Sequence, residues 1–196
     1  MHGGANIGLS AIIDAEALGN MTFGTNCVMF FVDYRYAPYT KNPGQTEDVY
    51  VVIKELYTHP KKYGIDRNHI AAGGRSSGNT LALGAAIMLQ KNNEEHMLHN
   101  LFMLLPSINN IMWTQKNAWN TTGWSEGQIF GYEKVQDFMI KAWDFSTNSK
   151  EQLENSIYVF PGKASKEQIA RLPKTIVFTA EYDFYRPDAI DLAEKL

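Results

Sequence analysis

Short apolar runs alternate along the chain with longer stretches whose apolar residues recur every three or four positions. Val28-Met29-Phe30-Phe31-Val32 is rich in β-formers, ends at Asp33 and precedes the loop signal Ala37-Pro38. It predicts a buried strand. From Glu47 to Tyr57 the apolar residues Val49, Val52, Ile53 and Leu56 share one helical face, and Gly64 follows as a breaker. Ile70-Ala71-Ala72 predicts a short strand running into Gly73 and Gly74. Asn79 to Gln90 is small and apolar, which suits a helix packed closely on a sheet. After the polar loop Asn92 to Asn100, Leu101 to Leu105 predicts a second buried strand, stopped by Pro106. Ile176 to Ala180 predicts another, and Asp188 to Leu196 begins a final amphipathic helix. Strands alternating with helices imply an α/β architecture, a mostly parallel sheet covered by helices on both faces.

The stretch from Asn109 to about Arg171 breaks this rhythm. It holds Trp113, Trp119, Trp124 and Trp143 together with helical patterning over Glu133 to Trp143. It reads as an insertion lying over the sheet within a single domain. The expected division is a core part over 1–108, the insertion and its return over 109–171, and a second core part over 172–196.

Composition narrows the function classes. The chain has 196 residues, 44% of them hydrophobic and 20% charged, which suits one domain with a substantial core and argues against disorder. Eighteen basic against 21 acidic residues leave a net charge of −3, so a nucleic-acid-binding surface is not expected. The lone Cys27 excludes an internal disulfide framework. No apolar run reaches the roughly 18 residues needed to span a bilayer, and the N-terminus lacks the pattern of a secretory signal. The expected location is therefore the cytoplasm. The sequons Asn20-Met21-Thr22 and Asn120-Thr121-Thr122 are read as chance triplets.

The strongest chemical signal is Gly74-Arg75-Ser76-Ser77-Gly78, which fits G-x-S-x-G with a predicted strand before it and a predicted helix after it. That context suits a sharp strand-to-helix turn exposing the Ser76 hydroxyl, with helix N–H groups aimed at a developing oxyanion. The glycines two positions either side leave room for the turn. Upstream, His2-Gly3-Gly4-Ala5 is a loop of small residues able to bring backbone N–H groups close to a bound carbonyl. Asp183 follows a predicted strand, where functional groups of a parallel sheet gather. Glu181 and Asp188 compete with it for an acidic role, and Asp183 is favoured. No histidine follows Asp183. The five histidines are His2, His59, His69, His96 and His99, and each reads as a loop or surface residue before a general base.

The stretches MHGGAN, VDYRYAP, TEDVYVVIKEL, GIDRNHIAAGGRSSGNTLAL and LPKTIVFTAEYDFYRPDA resemble, in order, the hormone-sensitive-lipase-like α/β-hydrolases, the alpha/beta hydrolase fold-3 esterases. The resemblance implies the α/β-hydrolase fold with a helical cap over the acyl pocket. It implies Ser76 as nucleophile and Asp183 as the acid. It also implies an oxyanion hole from the amides of Gly4, Ala5 and Ser77, with Gly3 shaping the loop. Asp33, Tyr34 and Arg35 become a structural turn. The implied activity is hydrolysis of short to medium acyl esters, with no metal and no cofactor. Ala5, Arg75 and Asn79 stand where the family carries a third glycine, an acidic residue and a second glycine, and Ser77 stands where it carries alanine. The chain is expected to be truncated at both ends, because the family continues on either side. Impaired catalysis follows from the missing histidine. The alternative is a non-catalytic relative that binds a small ligand or a protein partner. Exposed core edges would also favour a homo-dimer.

Overall fold

Three parallel strands in the order β1-β2-β3 carry the candidate site on their carboxyl ends in the computed structural model of the chain. The structure describes residues 1–109, 132–149 and 154–196. Trp113, Trp119, Trp124 and the sequon at Asn120 lie outside the described residues. Strand β1 is Ala71–Ser76, β2 is Asn100–Pro106 and β3 is Lys174–Phe178. The helices are α1 (Ala11–Gly19), α2 (Gly44–Thr58), α3 (Pro60–Tyr63), α4 (Ser77–Lys91), α5 (Tyr132–Ser146), α6 (Lys166–Ile169) and α7 (Arg186–Lys195). Among these residues no helix is long and apolar enough to cross a membrane.

Helix α4 organises the main core. It packs between α2 and the sheet, and its small residues Ala82, Ala85 and Ala86 are buried beside Leu81, Leu83 and Leu89. Leu101 and Met103 of β2 face it, with Val49 and Ile53 of α2 behind and Leu192 of α7 alongside. Close packing of this kind is what a helix rich in alanine permits. Helix α7 starts two residues before the expected Asp188 because Pro187 sits in its first turn, where the missing N–H costs nothing.

The opposite face of the sheet is apolar but solvated. Register aligns Gly73 with Phe102 and Ile176, and Phe178 with Leu104 and Arg75. Phe102 is 44% exposed, Ile176 38% and Phe178 55%.

The expected strand at Val28 to Val32 does not form. Residues 27–36 hold no regular structure, and Val28 is 58% exposed. A strand exists only with a neighbour to satisfy its ladder, and none pairs with this run among the described residues. Phe30 instead meets Tyr63 edge-on at 5.6 Å.

A second, smaller core decides how the site is assembled. Met139, Ala142 and Trp143 of α5 pack with Ala5, Val159, Phe160 and Tyr185. Trp143 and Phe160 lie 4.7 Å apart between ring centroids. This cluster joins the glycine loop, helix α5, the stretch around Val159 and Phe160, and the turn bearing Asp183.

Leu101 is fully buried at the centre of β2. Leu101→Ala is expected to cost about 2–5 kcal/mol through lost transfer energy and the cavity left behind. Urea unfolding checks this as a lower midpoint with an unchanged slope.

Candidate active site

The turn from β1 into α4 brings two backbone segments so close that side chains are excluded. A Cβ on Gly74 would lie 2.3 Å from the Gly78 carbonyl carbon and 2.6 Å from Asn79 N. A Cβ on Gly78 would lie 2.4 Å from Met1 O and 2.6 Å from His2 O. Ser76 sits at the crossing with φ 53° and ψ −125°, a region that costs an ordinary residue about 1–3 kcal/mol. It is the residue immediately before α4, whose first amides have no intrahelical partner. Residues 74–78 thus pass from strand to helix through a tight turn with Ser76 at its apex.

The glycine loop lies directly against this turn. The Met1 ammonium donates to Gly73 O at 2.6 Å, and Arg75 N–H donates to Met1 O at 3.2 Å. A Cβ on Gly3 would be 3.2 Å from Ser76 Cβ. Gly4 and Ala5 follow with φ of 117° and 54°. The loop therefore turns sharply beside the nucleophile candidate, and Ala5 occupies left-handed backbone without glycine's freedom. Ser77 is fully buried behind Ser76.

Four supporting residues were not singled out for these roles by the sequence. Asn79 donates from Nδ2 to Leu104 O at 2.6 Å and accepts from Leu104 N–H at 3.2 Å. It clamps the start of α4 to β2, a role glycine at that position could not fill. Tyr34 donates to His2 O at 3.0 Å and stacks on the His2 ring at 4.4 Å. Burial pushes its phenol well above the ordinary range. Tyr36 donates to Asp33 at 2.7 Å and reaches His2 Nε2 at 3.3 Å; burial first and then Asp33 push it up to about 12. Asp14 of α1 accepts from Arg75 at 2.8 and 3.1 Å. The cation beside Ser76 is thereby paired with a buried carboxylate, so the reversal of charge at position 75 is offset locally. Arg35 is held on Asp48 at 2.5 to 3.0 Å.

Ser76 and Asp183 line one cleft of about 470 Å³ with Arg75, Leu105, Ala180, Glu181, Tyr182, Phe184 and Tyr185. It opens over the carboxyl ends of all three strands, where parallel sheets place ligands. Asp183 Oδ1 accepts from Tyr185 N–H at 2.8 Å. Burial raises its carboxyl above the usual range, and that hydrogen bond partly offsets the rise. The two other acids differ from Asp183 in their surroundings. Glu181 is exposed. Asp188 is buried and committed elsewhere, accepting from Ile108 N–H and Asn109 N–H, each at 2.8 Å.

None of the five histidines lines the cleft. His2 Nδ1 lies 2.7 Å from Gly3 O. His59 pairs with Glu55, and His69 with Asp66. His69 and His99 sit at the amino ends of β1 and β2, a strand's length from Ser76 on the order of 20 Å. His96 packs on Tyr57.

The comparisons agree with this geometry. The family model described as the alpha/beta hydrolase fold matches residues 1–196. The chain belongs to that family, in its hormone-sensitive-lipase-like branch. It is 25% identical over 196 residues to an arylesterase of Saccharolobus solfataricus, covering all of this chain and 60% of that protein. It is 27% identical over 174 residues to esterase LipI of Mycobacterium tuberculosis, covering 88% and 51%. Among solved structures it is similar to an esterase of Pyrobaculum calidifontis, with a TM-score of 0.83, 28% identity and coverage of 98% and 60%. It is also similar to the carboxylesterase EstE1 from a metagenomic library, with a TM-score of 0.84, 24% identity and coverage of 99% and 63%. The chain thus spans about half to three-fifths of the length of these relatives.

The raised Asp183 carboxyl fixes a sign. The folded state holds this proton more tightly than the unfolded chain, so stability is lost as pH rises from the ordinary carboxyl range through the raised value. Asp183→Asn keeps an oxygen for Tyr185 N–H and removes the charge. It is expected to melt at or above the parent temperature at pH 7, and to lose any advantage as pH falls below about 4, where the parent's Asp183 becomes protonated in the folded and unfolded states alike. Paired thermal melts at the two pH values check this.

Proposed function

We propose that this chain carries the acyl-transfer site of a carboxylic ester hydrolase acting on short to medium acyl esters. The observation that carries the reading is Ser76, held in strained backbone at the head of α4, in one cleft with Asp183. The serine hydroxyl attacks the ester carbonyl carbon and gives up its proton. The carbonyl oxygen becomes an oxyanion, received by the amides of Gly4, Ala5 and Ser77. Collapse of the tetrahedral adduct breaks the ester C–O bond, and the alcohol leaves with a proton. Water then hydrolyses the acyl-serine and regenerates Ser76. Leu105, Tyr182, Phe184 and Tyr185 give the cleft an apolar and aromatic wall suited to an uncharged acyl or aryl group. The esterase and arylesterase relatives support the same class of substrate.

Within these 196 residues no imidazole faces Ser76. Its hydroxyl therefore attacks slowly, since loss of a triad member costs on the order of 10⁴- to 10⁶-fold in kcat. A second reading draws on the same observation: the cleft binds a small ester-like ligand without turning it over.

Hydrolysis of p-nitrophenyl acetate and labelling by a fluorophosphonate distinguish the two. Slow turnover and labelling above background, both abolished by Ser76→Ala, are expected. Absence of labelling at Ser76, with hydrolysis equal to that of Ser76→Ala, would leave the binding reading in its place.

A further inference from the structure

Asp188 is a buried carboxylate that acyl transfer does not use, and its partners lie far away in the chain. It stands in the first turn of α7, where an acidic side chain ordinarily folds back onto its own helix amides. It reaches instead to the exit of β2. Its Oδ2 accepts from Ile108 N–H and Asn109 N–H at 2.8 Å each, and its Oδ1 faces Asn109 Nδ2 at 3.2 Å. Two successive backbone amides converging on one carboxylate oxygen form a small anion nest.

A short path of hydrogen bonds leads from this nest to Asp183. Asp188 N–H donates to Tyr185 O at 3.0 Å. Tyr185 N–H donates to Asp183 Oδ1 at 2.8 Å, and Arg186 N–H to Asp183 O at 3.0 Å. The Tyr185 ring is buried with Ala5, Trp143 and Phe160, so the turn has little freedom except through its ends. The exit of β2 is itself well anchored. Thr80 of α4 donates from Oγ1 to Ser107 O, and Gly162 N–H donates to Ile108 O at 3.0 Å. Lys195 Nζ, at the far end of α7, donates to Gly162 O at 2.6 Å. The exit of β2, the stretch at Gly162 and α7 therefore meet around one carboxylate.

We propose that Asp188 is a positioning residue: it straps the turn bearing Asp183 to the exit of β2 and so sets where the acid stands relative to Ser76. The proposal rests on the hydrolase reading for its consequence in turnover. The strap itself is independent of that reading. Removing the carboxylate leaves two buried N–H groups without an acceptor and frees the amino end of α7 from the sheet.

The test is residue-resolved amide hydrogen exchange on the 196-residue chain, parent against Asp188→Ala. Asp188→Asn serves as a gentler variant, because its oxygen can still accept both amides. Exchange at Ile108 and Asn109 is expected to quicken at least tenfold. The expected signature of positioning is an equal quickening at Tyr185 and Arg186, with β1 and α4 unchanged and a smaller effect of the same pattern in Asp188→Asn. Quickening confined to Ile108 and Asn109, or spread uniformly through β1 and α4, overturns the proposal. Where ester turnover is measurable, Asp188→Asn is expected to lower kcat about tenfold at unchanged KM, and to add nothing in an Asp183→Asn background. Equal losses in both backgrounds overturn it as well. If the parent shows no turnover and no labelling of Ser76, the hydrolase reading falls while the exchange pattern still decides the strap.

Discussion

Three backbone segments meet at van der Waals distance where β1 hands over to α4, and the rest of the site depends on that contact. The end of the strand, the first turn of the helix and the carbonyls of Met1 and His2 leave no room for a Cβ at Gly74 or Gly78. The chain can pass through the gap only if the residue between them takes positive φ, and that residue is Ser76. A strained serine persists only when its surroundings over-determine it. Here α4 is buried along nearly its whole length, Asn79 clamps it to Leu104, and Tyr34 holds the His2 carbonyl that lies against Gly78. The strain is thus carried by the main core and presented at its surface.

The two cores divide the work. The larger one, around α4, holds the nucleophile candidate and the strand ends. The smaller one, around Trp143, Phe160 and Tyr185, holds the glycine loop and the acid turn. Asp183 accordingly reaches the cleft through residues nearly eighty positions away from its own turn, by way of Ile108, Asn109 and Asp188. Arg75 illustrates the same interdependence. A cation next to Ser76 would alter the local field, but the buried Asp14 of α1 pairs with it and leaves a neutral ion pair.

Much of this was legible beforehand. The periodicity located α2, α4, α5, α7 and all three strands to within a few residues, and it is clearest in α2, α4 and β2, which bury apolar residues at regular spacing. The elbow was legible because its glycines are enforced by contact and not by preference. The run Val28 to Val32 misled for a physical reason. Its composition suits a buried strand, yet strand formation needs a partner ladder that local sequence does not contain. Asn79 read as a departure from a glycine pattern and is a clamp. Tyr34 read as part of a turn and is a buried support for His2 in the glycine loop.

The sequence by itself determined the class of fold, the nucleophile candidate and the identity of the glycine loop. These follow from short-range rules: the burial period of each element, the sterics of a tight turn, and the hydrogen-bonding capacity of small residues. It also placed every histidine outside the expected positions of a general base. Only the tertiary structure showed what the three neighbouring acids face: Asp183 and Glu181 line the cleft, while Asp188 is buried on the amides of Ile108 and Asn109. Solvation and the direction of hydrogen bonds across the sheet set these differences, and they arise only when residues remote in the chain are brought together.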